Sequence, residues 1–191
     1  VVSLNNISKK FGLTDIVFST YQAVSGAGKN AIDDLTQSNP RKLKKLDYPI
    51  VNNAIPYIGD IDKFGYCVEE NKMMFETAKI LHLSNTNIIA NCVRIPVKNC
   101  HLVSVVFKTY KSSTLKQIQS ILSKSKGVCF AQNILPMPIN ANNKNDVIVG
   151  RLKNHKNLKN CFSFFVCGDN LRKGASLNAV QILKNLIQKN N

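Results

Sequence analysis

The sequence predicts an α+β fold, with one mixed β-sheet and helices packed on a face. Three observations lead there. β-rich runs interleave with stretches of helical periodicity along the whole chain. Two of the strand-like runs are separated by a hairpin-length gap, which suggests an antiparallel pair. No internal repeat, low-complexity segment or Gly/Ser/Pro-rich linker divides the chain into independent parts.

The elements follow in order. Val1, Val2, Leu4 and Ile7, with Lys9, Lys10 and Gly12 behind them, read as a helix that ends near Gly12. Asp15 to Tyr21 is rich in β-formers and reads as a buried strand. Ser25-Gly-Ala-Gly-Lys29 is a turn that opens a helical stretch to about Gln37. Asn39 to Asp47 is a basic loop, and Tyr48 to Asp62, with Pro49, Pro56 and Gly59, is irregular. Glu69 to Leu83 is the strongest helix. Met73, Met74, Ala78, Ile80 and Leu81 share one side of it, and Glu69, Lys72, Glu76 and Lys79 the other. Strands Asn87–Val97 and His101–Tyr110 follow, joined by Lys98-Asn-Cys100 as an expected hairpin. Ser113 to Lys124 is a helix with Ser113 or Thr114 as N-cap and Leu115, Ile118, Ile121 and Leu122 inward. Gly127–Ala131, Asp146–Leu152 and Cys161–Val166 are strands, and Leu171 to about Ile187 is a closing helix.

Composition narrows the function. With 191 residues and 44% apolar content, the chain can bury a core without disulfides or metal, which excludes a disordered tail or a disulfide-stapled toxin. No apolar run approaches the roughly 20 residues that span a bilayer, so no membrane is expected. The net charge of +15 points toward a polyanion. Yet 22 of the 26 basic residues are Lys, against 4 Arg, and Asn occurs 24 times. That bias is what A/T-rich codons produce, and readers of nucleic acid rely on Arg; no nucleic acid partner is expected. The six cysteines form no C-x-x-C pair and no zinc spacing with His82, His101 and His155, so no metal is expected and the thiols read as reduced and cytoplasmic. The chain begins with Val inside an apolar-periodic stretch, the expectation for an internal part of a longer polypeptide.

Several residues carry chemistry, each with a plainer reading beside it. Ser25-Gly-Ala-Gly-Lys29 lacks the Gly and the Ser or Thr of a P-loop, since positions 23 and 30 are Ala and Asn. It is either an anion-receptive turn or a tight turn that needs glycine. Arg94 and Pro96 share one face of their strand. A guanidinium there meets a bound carboxylate, a structural Asp or Glu, or solvent. His101 fits acid/base work or a satisfied core position. Glu69 and Lys72, one turn apart, fit a ligand site or a solvated ion pair.

Ser19-Thr-Tyr-Gln-Ala-Val-Ser-Gly-Ala-Gly-Lys29, Asn53-Ala-Ile-Pro56, Glu69-Glu-Asn-Lys-Met73 with Glu76-Thr77, and Cys92-Val-Arg-Ile-Pro-Val97 with His101 form an ordered set. Val149-Gly-Arg151, Asp169-Asn-Leu-Arg-Lys-Gly-Ala175 and Asn178-Ala-Val-Gln181 complete it. Together they resemble the C-terminal part of the aspartate-semialdehyde dehydrogenase family, over nearly the whole chain. The resemblance implies a C-terminal domain like that of glyceraldehyde-3-phosphate dehydrogenase. Residues 1–165 would be a substrate-binding and dimerisation domain, and 166–191 a helical segment completing an N-terminal NADP-binding domain. It implies NADPH-dependent reduction of L-aspartyl 4-phosphate to aspartate 4-semialdehyde through a cysteine thioester, on the route to lysine, threonine and methionine. It also implies a cytoplasmic homodimer or homotetramer.

By the same resemblance, His101 is the acid/base, Arg94 the clamp on the substrate carboxylate, and Gln22 the amide that orients the substrate. Lys72 binds the phosphate and Glu69 the amine, although adjacent Glu70 leaves the register open. Ser25, Gly26 and Asn170 contact the cofactor. The nucleophilic cysteine is expected before Val1; Cys92 reads as strand core and Cys100 as neutral variation. N-acetyl-glutamyl-phosphate reductase, which shares fold and chemistry, and a non-catalytic dimerisation module are the alternatives.

Overall fold

Alternation of apolar side chains along Leu13–Gln22 makes this segment, β1, the strand from which the sheet is built. Ile16, Phe18 and Thr20 are buried while Val17, Ser19 and Tyr21 point to the opposite face. The computed structural model describes residues 1–130 and 133–189. The other strands are β2 (Asn87–Arg94), β3 (His101–Thr109), β4 (Val128–Phe130), β5 (Val147–Asn154) and β6 (Cys161–Gly168). They form one mixed six-stranded sheet in the order β2-β1-β3-β6-β5-β4. β2 runs parallel to β1, and β4 to β5; the other neighbours are antiparallel.

The helices are α1 (Val2–Phe11), α2 (Lys29–Asp33), α3 (Val68–Leu81), α4 (Leu115–Lys124), α5 (Pro138–Ala141) and α6 (Leu177–Lys189). α1, α3 and α4 lie on one face. Leu4, Ile7 and Phe11 of α1 and Ile118 and Leu122 of α4 join Ile16, Phe18, Phe107, Val149 and Phe164 in the main core. Phe107 sits between Phe162 and Phe164, with ring centroids 5.7 and 5.6 Å away. Each such fully buried ring contributes about 1.5–3 kcal/mol. Thr114 caps α4, accepting from the Gln117 N–H while Gln117 Oε1 accepts from the Thr114 N–H at 2.9 Å. Gly12, at φ +67, ends α1 as expected, its N–H donating to the Ser8 carbonyl.

Three sequence expectations need correction. Lys98-Asn-Cys100 does not join a hairpin: β2 and β3 lie on opposite sides of β1. The long connection through α2 and α3 returns the chain parallel to β1 on its outer edge, and β3 then takes β1's other side. The strand expected to reach Val97 ends at Arg94, after which Val97 N–H turns back onto the Ile95 carbonyl. On α3, Ile80 is 53% exposed, and the buried positions are Glu70, Thr77 and Leu81. Of the strand expected over Gly127–Ala131, Val128–Phe130 is present and Ala131 lies outside the described residues.

Candidate active site at the end of the sheet

Gln22 closes β1, and its register partner on β2 is Arg94. β3 enters antiparallel on the other side, with Leu102 opposite Tyr21, so its first residue, His101, arrives at the same end. Side chains alternate along each strand, and Gln22, Arg94 and His101 all fall on the helix-covered face. The sheet thus aligns an amide, a guanidinium and an imidazole across three neighbouring strands.

The backbone of Ala23 ties two of them together. Arg94 Nη1 donates to its carbonyl at 2.7 Å, and its N–H donates to His101 Nδ1 at 3.1 Å. Arg94 is buried and has neither a carboxylate nor open solvent as its direct partner. Burial lowers its pKa, while nearby Glu69 pulls the other way. Burial, and then the Arg94 charge, push the His101 ring down to about 4. The ring is therefore neutral at pH 7. With Nδ1 accepting from Ala23, the ring proton sits on Nε2.

The turn after β1 supplies the second wall. Val24 and Ser25 donate backbone N–H bonds to the carbonyls of Val97 and Lys98. Asn170 bridges this turn to β3: its Nδ2 donates to Ser25 Oγ and its Oδ1 accepts from the Cys100 N–H, each at 2.9 Å. A Cβ on Gly26 would stand 3.8 Å from His101 Nε2 and 3.9 Å from Asn170 Nδ2. Gly26 therefore leaves a methyl-sized slot between the imidazole and the amide.

α3 forms the third wall. Gln22 Nε2 donates to Glu69 Oε1 at 3.3 Å, and Lys72 Nζ approaches Glu69 Oε2 at 3.4 Å. Glu70 faces inward instead. Its Oε2 accepts from the Cys67 N–H and its Oε1 from the Cys92 N–H, both at 2.9 Å. Of the two adjacent glutamates, Glu69 is the one directed at Gln22. All eight residues singled out from the sequence fall in this one region, with Lys72 at its exposed rim. Arg94 also borders a cavity of about 510 Å³ whose other walls include Lys45, Asp47, Tyr57 and Asp60. A larger cavity, about 760 Å³, surrounds Cys129, Leu135, Met137 and Ile148 and includes none of the eight.

Sequence reasoning missed three contributors. The Ala23 backbone gives no signal in the sequence. Glu70 is detectable as the N3 residue of a capping box at Cys67. Asp169, also buried, accepts from the N–H groups of Asn143, Leu171 and Arg172 and so fixes the turn that carries Asn170. The neighbouring thiols do not suit nucleophilic attack: burial pushes Cys92 up to about 12 and Cys100 up to about 11. Among the described residues no cluster of His, Cys, Asp and Glu could hold a metal ion, and no helix is long and apolar enough to cross a membrane.

An open mixed sheet with helices on one face, carrying amide, guanidinium, imidazole and carboxylate side chains together at one end, is an α+β domain with a built polar site. The chain belongs to the semialdehyde dehydrogenase dimerisation-domain family, whose model matches residues 4–173. It is 39% identical to the aspartate-semialdehyde dehydrogenase of Aquifex aeolicus, over 99% of this chain and 59% of the relative. It is 38% identical to that of Bacillus subtilis, over 100% and 60%. Aspartate semialdehyde dehydrogenase II of Vibrio cholerae, solved as a complex with ASA, superposes with a TM-score of 0.92 at 32% identity, covering 97% of this chain and 58% of that one. The chain thus spans about three fifths of the length of the relatives it matches.

Proposed function

We propose that this chain is the substrate-binding and dimerisation part of an aspartate-semialdehyde dehydrogenase. Residues 1–165 carry the substrate-side residues, and 166–191, which include Asn170, complete a nucleotide-binding part. The observation behind this reading is the convergence of Gln22, Arg94 and His101 on one face of one sheet end, with Glu69 and Lys72 at the helix start beside them. The reaction is conversion of L-aspartyl 4-phosphate to aspartate 4-semialdehyde and phosphate in the cytoplasm, serving lysine, threonine and methionine synthesis.

Arg94 receives the substrate α-carboxylate. Its planar fork has donors left after the single bond to Ala23, and its burial strengthens the ionic contact. Glu69 takes the α-ammonium, and Gln22, already bonded to Glu69, orients the acyl group. Lys72, exposed at the rim, needs only a point charge to meet the phosphate. His101 Nε2–H faces the slot over Gly26 and donates to the acyl oxygen as negative charge builds there. To act as a base the ring must release the Ala23 N–H and change tautomer. The attacking sulfur is assigned to the polypeptide that completes the enzyme, because the thiols beside the site are held protonated.

The slot over Gly26, between His101 Nε2 and Asn170 Nδ2, is assigned to the nicotinamide edge, with Ser25, Gly26 and Asn170 as its contacts. NADPH bound there would supply the hydride. The test is turnover by the complete dehydrogenase, run as phosphate-dependent reduction of NADP. Aspartate semialdehyde is the expected substrate; preference for N-acetyl-glutamate semialdehyde would reject this reading in favour of the related reductase.

A further inference from the structure

We propose that Glu70 is a positioning residue that sets the phosphate-binding cation of α3 against the substrate-clamping strand, an inference that rests on the function proposed above. β2 is the edge strand of the sheet, so half of its backbone groups face away from β1. Three of these outward groups, on two residues, find partners from outside the sheet. Arg94 exchanges both backbone hydrogen bonds with Ile55, and Cys92 N–H donates to Glu70 Oε1 at 2.9 Å. The other carboxylate oxygen of Glu70 accepts from the Cys67 N–H at the start of α3. One buried side chain thus bonds the first turn of α3 to the sheet edge. A buried carboxylate is tolerated only when its oxygens are satisfied, and here both are, by backbone rather than by a cation.

The consequence is positional. Glu69 precedes Glu70, and Lys72 follows by half a turn; the preceding loop also holds this turn through the Val68 and Glu69 N–H groups, but Glu70 is the side chain that ties it to the β2 backbone. Arg94 has its own latch through Ile55 and Ala23. Loss of the Glu70 bridge therefore frees the α3 side of the pocket and leaves the carboxylate clamp in place. Phosphate binding, which depends on Lys72, is the step that suffers.

The test uses the complete dehydrogenase with Glu70→Gln, which keeps one acceptor oxygen, and Glu70→Ala, which keeps none. In the phosphate-dependent direction, KM for inorganic phosphate is expected to rise about tenfold in Glu70→Ala and less in Glu70→Gln, with kcat at saturating phosphate changed by no more than about threefold. Exchange of the Cys67 and Cys92 amide hydrogens accelerates in both. Leu81→Ala, which weakens the far end of the same helix, lowers the melting temperature but leaves the phosphate KM unchanged. An unchanged phosphate KM in Glu70→Ala overturns the proposal, as does an equal rise in Leu81→Ala. If the wild-type enzyme prefers N-acetyl-glutamate semialdehyde, the substrate reading fails alone, because both reactions consume phosphate and the latch is still read from its KM.

Discussion

His101 Nδ1 accepts the backbone N–H of Ala23 at 3.1 Å, and this bond couples the state of the imidazole to the end of β1. A protonated ring would oppose N–H to N–H at that contact. Burial and the Arg94 charge act in the same direction and push the ring down to about 4. An unfolded chain binds a proton near pH 6.5, whereas the folded one does not until about pH 4. The folded state therefore gains stability from this group above pH 6.5 and loses it as pH falls through that window. Between about pH 7 and pH 4.5, wild type should lose about 2 kcal/mol more than His101→Asn in urea titrations. Equal losses would mean that the ring is not held neutral. The same variant in the complete enzyme should lower kcat far more than it raises KM.

Arg94→Lys tests the carboxylate clamp. Lysine keeps the charge but lacks the fork, and a single ammonium would have to serve both the Ala23 carbonyl and the ligand. KM for aspartate semialdehyde should rise at least about tenfold, with kcat altered less. An unchanged KM removes Arg94 from substrate binding.

The amino-acid sequence carried the elements better than their adjacency. Runs rich in β-formers mark β1, β3, β5 and β6, and helical periodicity marks α1 and α4, because each pattern is local. The hairpin between β2 and β3 was misjudged because a short connection limits distance without specifying pairing: Cys100, at φ +76, turns the chain past β1 rather than back along β2. Periodicity groups Ile80 with Met73, Met74 and Leu81, yet Ile80 is exposed while Glu70 and Thr77 join Leu81 in the buried stripe of α3. The eight site residues were legible through ordered motifs. The groups that hold them are less so: Glu70 shows only as the N3 residue of a capping box, and its bond to Cys92, the Asp169 bond to Asn143 and the Ala23 bonds to the Arg94 and His101 side chains join residues distant in sequence.

Thiol chemistry provides an independent check. Burial holds Cys92 and Cys167 up at about 12 and Cys100 at about 11, while Cys129 is exposed. Iodoacetamide at about pH 8 should label Cys129 and leave those three unmodified in the folded protein, read by peptide mass spectrometry. Rapid labelling of Cys92 or Cys100 would reopen the assignment of the nucleophile. Cys100→Ala should leave turnover of the complete enzyme within about threefold of wild type.

Asp34 organises the loop that borders the cavity beside Arg94. Fully buried, it accepts from the backbone N–H groups of Lys44, Lys45 and Leu46 at 2.8, 2.9 and 2.9 Å. Burial alone would raise its pKa, but the three bonds together outweigh this and lower it. Its contribution is present above the ordinary carboxylate range and fades as pH falls through the lowered value. Asp34→Asn turns an amide NH2 toward backbone donors and should cost about 1–3 kcal/mol at neutral pH, measured by urea unfolding. A loss confined to acidic pH would contradict this account.

The sheet face away from the main core carries an assembly signature. Val106, Val17 and Ile89 align across three strands, as do Leu102, Tyr21 and Val93, with Ser104, Ser19 and Asn91 between the two rows. Ile89 is 52% exposed and Tyr21 38%. Aligned apolar rows on a sheet face that α5 covers only at its Leu102 end fit a two-fold self-interface, where each substitution acts twice. Ile89→Lys should therefore weaken self-association by about a hundredfold in sedimentation equilibrium while leaving the circular dichroism spectrum unchanged. Phe75→Lys, at a still more exposed position on α3, should leave association intact. If Phe75→Lys breaks the assembly and Ile89→Lys does not, copies meet through the helical layer and the sheet face has another use.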